Sequence, residues 1–188
     1  MATNCDNIQY TEMEWCEGTI NLPGIKRDVY FIPKRDIVKF PTLPETFTTK
    51  MGELATYTGN FTLAAGKTWQ KVGIVVDRSP VTSEPQGTRP SKTFLNTGTF
   101  VHPGVEEDVT GFAMQANNDD LVYLFQTKKG KWRVIGNDMY QTDTAVSQAL
   151  GGAATDEMGT TLTATVTDLC PAPFYTGEIE TEDGTING

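Results

Sequence analysis

Residues 94–135 constrain this chain more than any other stretch, because they read as strand, helix and hairpin in one run. Phe94-Leu95-Asn96-Thr97-Gly98-Thr99-Phe100-Val101 alternates and is rich in Thr and aromatic residues, the pattern of a strand. His102-Pro103-Gly104 breaks it. Val105, Val109, Phe112, Ala113 and Ala116 then recur on one face of a short helix over 104–117. Glu106, Glu107 and Asp108 crowd its first turn, where the helix dipole favours negative charge. Asn117-Asn118 suits a left-handed cap at its end. Leu121 to Phe125 follows as an apolar strand, Lys128-Lys129-Gly130-Lys131 turns the chain, and Trp132-Arg133-Val134-Ile135 returns it. This run describes a scaffold.

The other segments extend the β pattern. Lys26–Pro33 is a strand, Asp36–Phe40 another, and Pro41 and Pro44 stop regular structure. Thr56–Leu63 reads as a strand with a turn near Asn60, and Lys67–Asp77 as a strand with Gly73 as its bulge. Ser79–Ser91 carries Pro80, Glu84, Pro85, Gly87, Arg89 and Pro90 with almost no apolar content, and reads as a long exposed loop suited to a partner. Met139–Thr142 is a short strand, and Thr144–Thr155 a small-residue flexible segment. In Thr160–Thr167, Leu162, Ala164 and Val166 alternate with Thr161, Thr163, Thr165 and Thr167, a half-buried strand with a Thr-lined outer face. Residues 1–24 form an irregular arm, 25–176 the domain, and 177–188 an acidic tail.

At 188 residues the chain suits one domain with a sizeable core, and eighteen Gly, ten Pro and many Thr favour a mainly β class. A net charge of −9 argues against sequence-specific nucleic-acid binding, which needs clustered Lys and Arg. The same balance suits a surface that nucleic acid passes without sticking. There is no secretory leader pattern and no apolar run of membrane-spanning length, so no export and no membrane anchor are expected.

Catalytic chemistry has little to build on. Cys5, Cys16 and Cys170 are odd in number and lack metal-ligand spacing, so reduced thiols are expected rather than a disulfide framework or zinc site. His102 is the single histidine, and a helix-entry role suits it better than a triad or a metal site. Glu106, Glu107 and Asp108 fit helix-start electrostatics, and Asn117 to Asp120 lack the spacing and closing Glu of a calcium loop. No catalytic residues, cofactor or metal are expected. Lys128, Lys129, Lys131 and Arg133 form the one basic cluster, either solvated charge at a hairpin tip or a contact to an acidic neighbouring subunit.

Several segments resemble tail-tube or tail-ring structural proteins of double-stranded DNA bacteriophages of Bacteroides-like hosts. They are Leu22-Pro23-Gly24-Ile25 with Val29 to Lys34; Gly111-Phe112-Ala113 running into Asp120 to Leu124; Gly130 to Gly136; Gly151-Gly152 to Asp156; and Gly159 with Pro171-Ala172-Pro173-Phe174-Tyr175. The resemblance implies a β-sandwich or half-barrel with one flanking α-helix and long assembly loops. It further implies a non-enzymatic virion protein whose subunits close into rings, typically hexameric, that stack into a tube conducting DNA. On that pattern Thr161, Thr163, Thr165 and Thr167 line the lumen, and the 79–91 segment is the inter-ring loop. The basic hairpin would then contact the next subunit. Partners would be further copies and other tail or neck proteins, with DNA passing through unbound. A head–tail connector or neck ring would reuse the fold. From a different class, a carbohydrate-binding or adhesin-like sandwich would stack sugars on exposed Trp15, Tyr57 and Trp69.

Overall fold

The computed structural model describes residues 10–46 and 49–188. They form thirteen strands and one α-helix, and every pairing between named strands is antiparallel.

Two sheets make the sandwich. The first runs in the order β11 (Phe174–Tyr175), β8 (Trp132–Ile135), β7 (Leu121–Thr127), β1 (Ile25–Pro33), β4 (Gln70–Gly73). The second runs β5 (Val81–Gln86), β6 (Thr93–His102), β10 (Gly159–Asp168), β9 (Asp143–Ala149). Strand alternation decides what lies between them. Val29, Tyr123, Phe125 and Ile135 of the first sheet face Phe100, Leu162, Ala164 and Val166 of the second. Gly98 permits this close approach: a Cβ there would lie 2.6 Å from Ile135 Cδ1. Helix α1 (Glu107–Ala116) closes one side with Phe112 against Phe31, ring centroids 4.8 Å apart, and with buried Ala116.

The first sheet is covered on its other face too. Tyr30, Ile32, Val122, Leu124, Trp132 and Val134 point away from the sandwich core into a second apolar cluster with Ile37, Tyr57, Phe61, Trp69, Tyr175 and Ile179. This is why β7 is buried at five consecutive positions, Leu121 to Phe125, instead of alternating. The covering layer comes from β2 (Ile37–Lys39) paired with β3 (Thr62–Leu63), and from a hairpin of β12 (Glu178–Thr181) and β13 (Gly184–Asn187). Phe61 is its hub, with ring contacts to Phe40, Tyr57, Trp69 and Tyr175.

The structure corrects several sequence expectations. Residues 177–188 do not trail off: β12 and β13 fold over the sheet and bury Ile179 completely. Residues 79–91 are not loop throughout, because Val81–Gln86 pairs with β6 as an edge strand. Residues 144–149, expected to be flexible, lie in β9, while Met139–Thr142 is irregular. Lys67–Asp77 yields only the four residues of β4, and register shifts fall between Ile25 and Val29 and between Ile37 and Lys39, not at Gly73. Thr56–Leu63 keeps isolated bridges and the two residues of β3. Asn117 ends α1 in right-handed geometry, so no left-handed cap forms. Of the arm, residues 1–9, Cys5 included, lie outside the described residues, as do 47–48 of the segment after Pro44.

Candidate assembly surfaces

The outer face of the second sheet is the most distinctive surface. β10 alternates as expected: Leu162, Ala164 and Val166 are buried, while Thr161, Thr163, Thr165 and Thr167 stand half-exposed on the opposite side. Registration extends the band, since Thr163 pairs with Thr99, and Thr165 with Thr97, which in turn pairs with Thr82 of β5. Gln86 Nε2 donates to Thr93 Oγ1 at 3.2 Å and to Thr167 Oγ1 at 2.9 Å, tying three strands together across this face. The registers bring Leu95, Val101, Ala145 and Ser147 to the same side, with Glu84 and Asp143 as its charged residues. It is a hydroxyl-rich face with no basic side chain.

Both margins of this sheet are edges, because β5 pairs with β6 alone and β9 with β10 alone. Thr99 N donates to Pro80 O at 2.9 Å, so the even-numbered backbone groups of this segment turn toward β6. Val81, Ser83 and Pro85 therefore turn theirs outward. Pro85 brings no N–H, which suits an edge strand and confines outward donors to Val81 and Ser83. Of the residues expected in a loop, Glu84 and Pro85 thus sit in β5, Pro80 leads into it, and Gly87, Arg89 and Pro90 make the exposed turn to β6. On β9, Val146 N reaches Asn117 Oδ1 at 3.5 Å, a marginal bond.

The basic cluster divides. Lys128, Lys129 and Lys131 are exposed around the β7–β8 turn, and none pairs with a carboxylate among the described residues. Arg133 is half-buried instead: Nε donates to Ala172 O at 2.7 Å, Nη2 to Pro171 O at 2.9 Å, and the guanidinium lies 4.6 Å from the Phe174 ring centroid. Burial pulls its pKa below the ordinary guanidinium value. It fixes β11 beside β8.

Each polar group raised as possible chemistry has a structural partner or none. His102 ends β6, and its Nδ1 lies 2.7 Å from Gly73 O, joining the two sheets. Asp120 pairs with Lys34 at 3.5 Å and accepts from Thr142 N at 2.9 Å, while Asp119 pairs with Arg35. These contacts tie the entry of β7 to the end of β1. Glu106, Glu107 and Asp108 lie exposed at the start of α1. Among the described residues no group of three or more His, Cys, Asp and Glu is placed to hold a metal ion. Cys16 and Cys170 are free thiols, and burial pushes Cys170 up to about 12, which leaves it protonated and a poor nucleophile. No helix among the described residues is long and apolar enough to cross a membrane.

Sequence reasoning passed over Asn96 and Asn137, which latch the second sheet. Asn96 Nδ2 donates to Cys170 O at 3.1 Å and its Oδ1 accepts from Ala172 N at 3.0 Å. Asn137 Nδ2 donates to Thr167 O at 2.8 Å. Between these latches sits Asp168, fully buried, with Leu169 N donating to Oδ1 at 2.7 Å and with the Asn137 side chain and the Cys170 backbone N–H also turned toward the carboxylate. Burial raises its pKa. Between the unfolded and the raised value the folded state holds the extra proton, so stability falls as pH rises through that window. Asp168→Asn is therefore expected to flatten the stability–pH curve above the ordinary carboxylate range. Urea titrations at a series of pH values from the ordinary carboxylate range up to neutrality check this; a pH dependence the same as the parent's contradicts it.

Where the carbohydrate-binding alternative needs an exposed sugar-stacking platform, the structure buries two of its three aromatics. Trp69 is 2% and Tyr57 5% exposed, and both belong to the second apolar cluster. Trp15 alone is exposed, on the arm. Comparison of the chain with protein-family models, with curated proteins and with solved structures gives no match.

Proposed function

We propose that this chain is a non-enzymatic ring-forming subunit of a bacteriophage tail tube. The observation that carries the reading is the second sheet, with no further strand paired at either margin, only α1 side chains reaching β9, and a hydroxyl-rich outer face. An open edge is an aggregation hazard unless something pairs with it, and a closed ring removes it. In this reading β5 of one copy continues the sheet against β9 of the next.

The geometry is compatible with conducting DNA. Six copies, the number implied by the resemblance, would contribute roughly 24 strands to one wall. With a spacing of about 4.8 Å and a tilt of about 40°, such a wall has a backbone diameter of about 48 Å. Subtracting side chains leaves a channel wider than a duplex. Its lining would be Thr161, Thr163, Thr165 and Thr167 with their neighbours, a face carrying only the acidic Glu84 and Asp143. Such a face offers phosphates no cation to pair with, so DNA slides. The 87–92 turn at one end of the sheet would meet the next ring of the stack.

The same fold would serve a connector or neck ring, and the buried positions of Trp69 and Tyr57 weigh against the carbohydrate-binding alternative. Light scattering across a concentration series tests the assembly. The expected mass is several times the 20.6 kDa of one chain. A constant monomer mass contradicts the reading.

A further inference from the structure

Residues 10–24 carry large apolar side chains that the body of the chain does not cover. Tyr10 is 85%, Met13 86%, Trp15 72% and Ile20 79% exposed. No residue from Tyr10 to Gly24 is buried, and no helix or strand forms there. The segment also holds Glu12, Glu14 and Glu17 and no Lys or Arg. Apolar side chains in water beside a run of acids describe half of an interface.

The complementary half lies on the same molecule. An open groove of about 870 Å³ runs beneath the β7–β8 turn. Val81, Phe125, Pro171 and Phe174 give it an apolar lining, Lys128, Lys129 and Lys131 a basic rim, and Asp77 is its one acidic residue. The three lysines lack carboxylate partners among the described residues. The root of the arm, Leu22-Pro23-Gly24, forms one wall, yet the rest of the arm stands clear of the groove. Fully extended, residues 10–24 reach about 50 Å, whereas a body of this size has a radius of gyration of about 16 Å. The arm is long enough to cross to a neighbour.

We propose that the arm of one copy lies in the basic-rimmed groove of an adjacent copy, with Trp15 or Ile20 on the apolar lining and Glu12, Glu14 and Glu17 against the lysines. The occupant is a second copy of this chain. Charge complementarity selects it, since an acidic, lysine-free strap meets a lysine rim on a protein that is acidic elsewhere. The inference rests on the assembly reading only in requiring that copies meet.

Cross-linking tests it. In a Cys5→Ser background, Lys129→Cys puts a thiol on the rim, where the proposal brings the native Cys16 of a neighbour's arm, and half-buried Cys170, held protonated, stays inert. Mild oxidation is expected to give a covalent ladder of dimers and higher species on a non-reducing gel. The ladder should vanish in Cys16→Ser and fall at least tenfold in Glu12→Lys/Glu14→Lys/Glu17→Lys. A cross-linked monomer, showing the arm in its own groove, overturns the proposal. So does an absent ladder in a sample whose scattering mass is oligomeric, and that result leaves the ring reading standing. A monomeric mass with no ladder removes both. A ladder that stops at the dimer upholds arm exchange and contradicts the ring.

Discussion

Ser83→Pro is expected to yield a folded chain that no longer assembles. Ser83 turns its backbone outward from β5, and Pro85 already occupies the next outward position without disturbing the pairing with β6. A second proline removes the outward N–H at the centre of the edge and sets a ring Cδ where a neighbouring strand would lie. The cost is about 2 kcal/mol for each contact between copies, from one lost hydrogen bond and the stranded acceptor opposite it. That is roughly a 30-fold weakening per contact, compounded around a closed ring. Thr82→Pro supplies the contrast. Its N–H turns toward β6, so the same substitution breaks the intrachain ladder and lowers thermal stability directly. Scattering mass and melting temperature measured together separate the two. Ser83→Pro should read as a monomer with a melting transition near that of the parent, and an oligomer of unchanged mass would show that β5 is not the joining edge.

Trp69→Ala is expected to be the most damaging single change to the fold itself. The indole is 2% exposed and packs edge-on against Phe61 at 5.3 Å between centroids. Its backbone N donates to Glu180 O at 2.8 Å, so the residue holds the β12–β13 hairpin over the first sheet. Truncating a buried Trp costs about 3–5 kcal/mol, a fall in melting temperature of about 6–20 °C for a chain of this length. Loss should be shared by Ile179→Ala to a smaller degree, because that side chain is fully buried under the same layer. A Trp69→Ala protein that melts with the parent would contradict the three-layer arrangement and reopen Trp69 as a surface residue.

What was legible in the sequence follows from where apolar residues are dense enough to carry a period. β1, β6, β7, β8, β10 and the helix were readable because core contacts repeat along each. β9 was not: its inward positions are Thr144, Val146 and Gln148, and Thr144 earns its buried place through a 3.0 Å bond to Tyr123 Oη rather than through hydrophobicity. The covering layer was missed for a related reason. The β12–β13 hairpin holds two apolar residues, Ile179 and Ile186, among acids, although Asp183-Gly184 between them was a usable turn signal. With that layer unseen, the carbohydrate-binding alternative takes Tyr57 and Trp69 as exposed. Proline misled in the other direction at 79–91, since Pro85 sits comfortably on an edge strand whose N–H side is free. The Thr face was plain from strict alternation in β10, but its breadth depends on registers with β6 and β5 that no single segment encodes.

Negative-stain electron microscopy of the purified protein shows directly whether this chain closes into rings. The expected images show rings, or stacks of rings, pierced by a central channel. A field of separate small particles at concentrations where scattering finds a single chain would contradict the account.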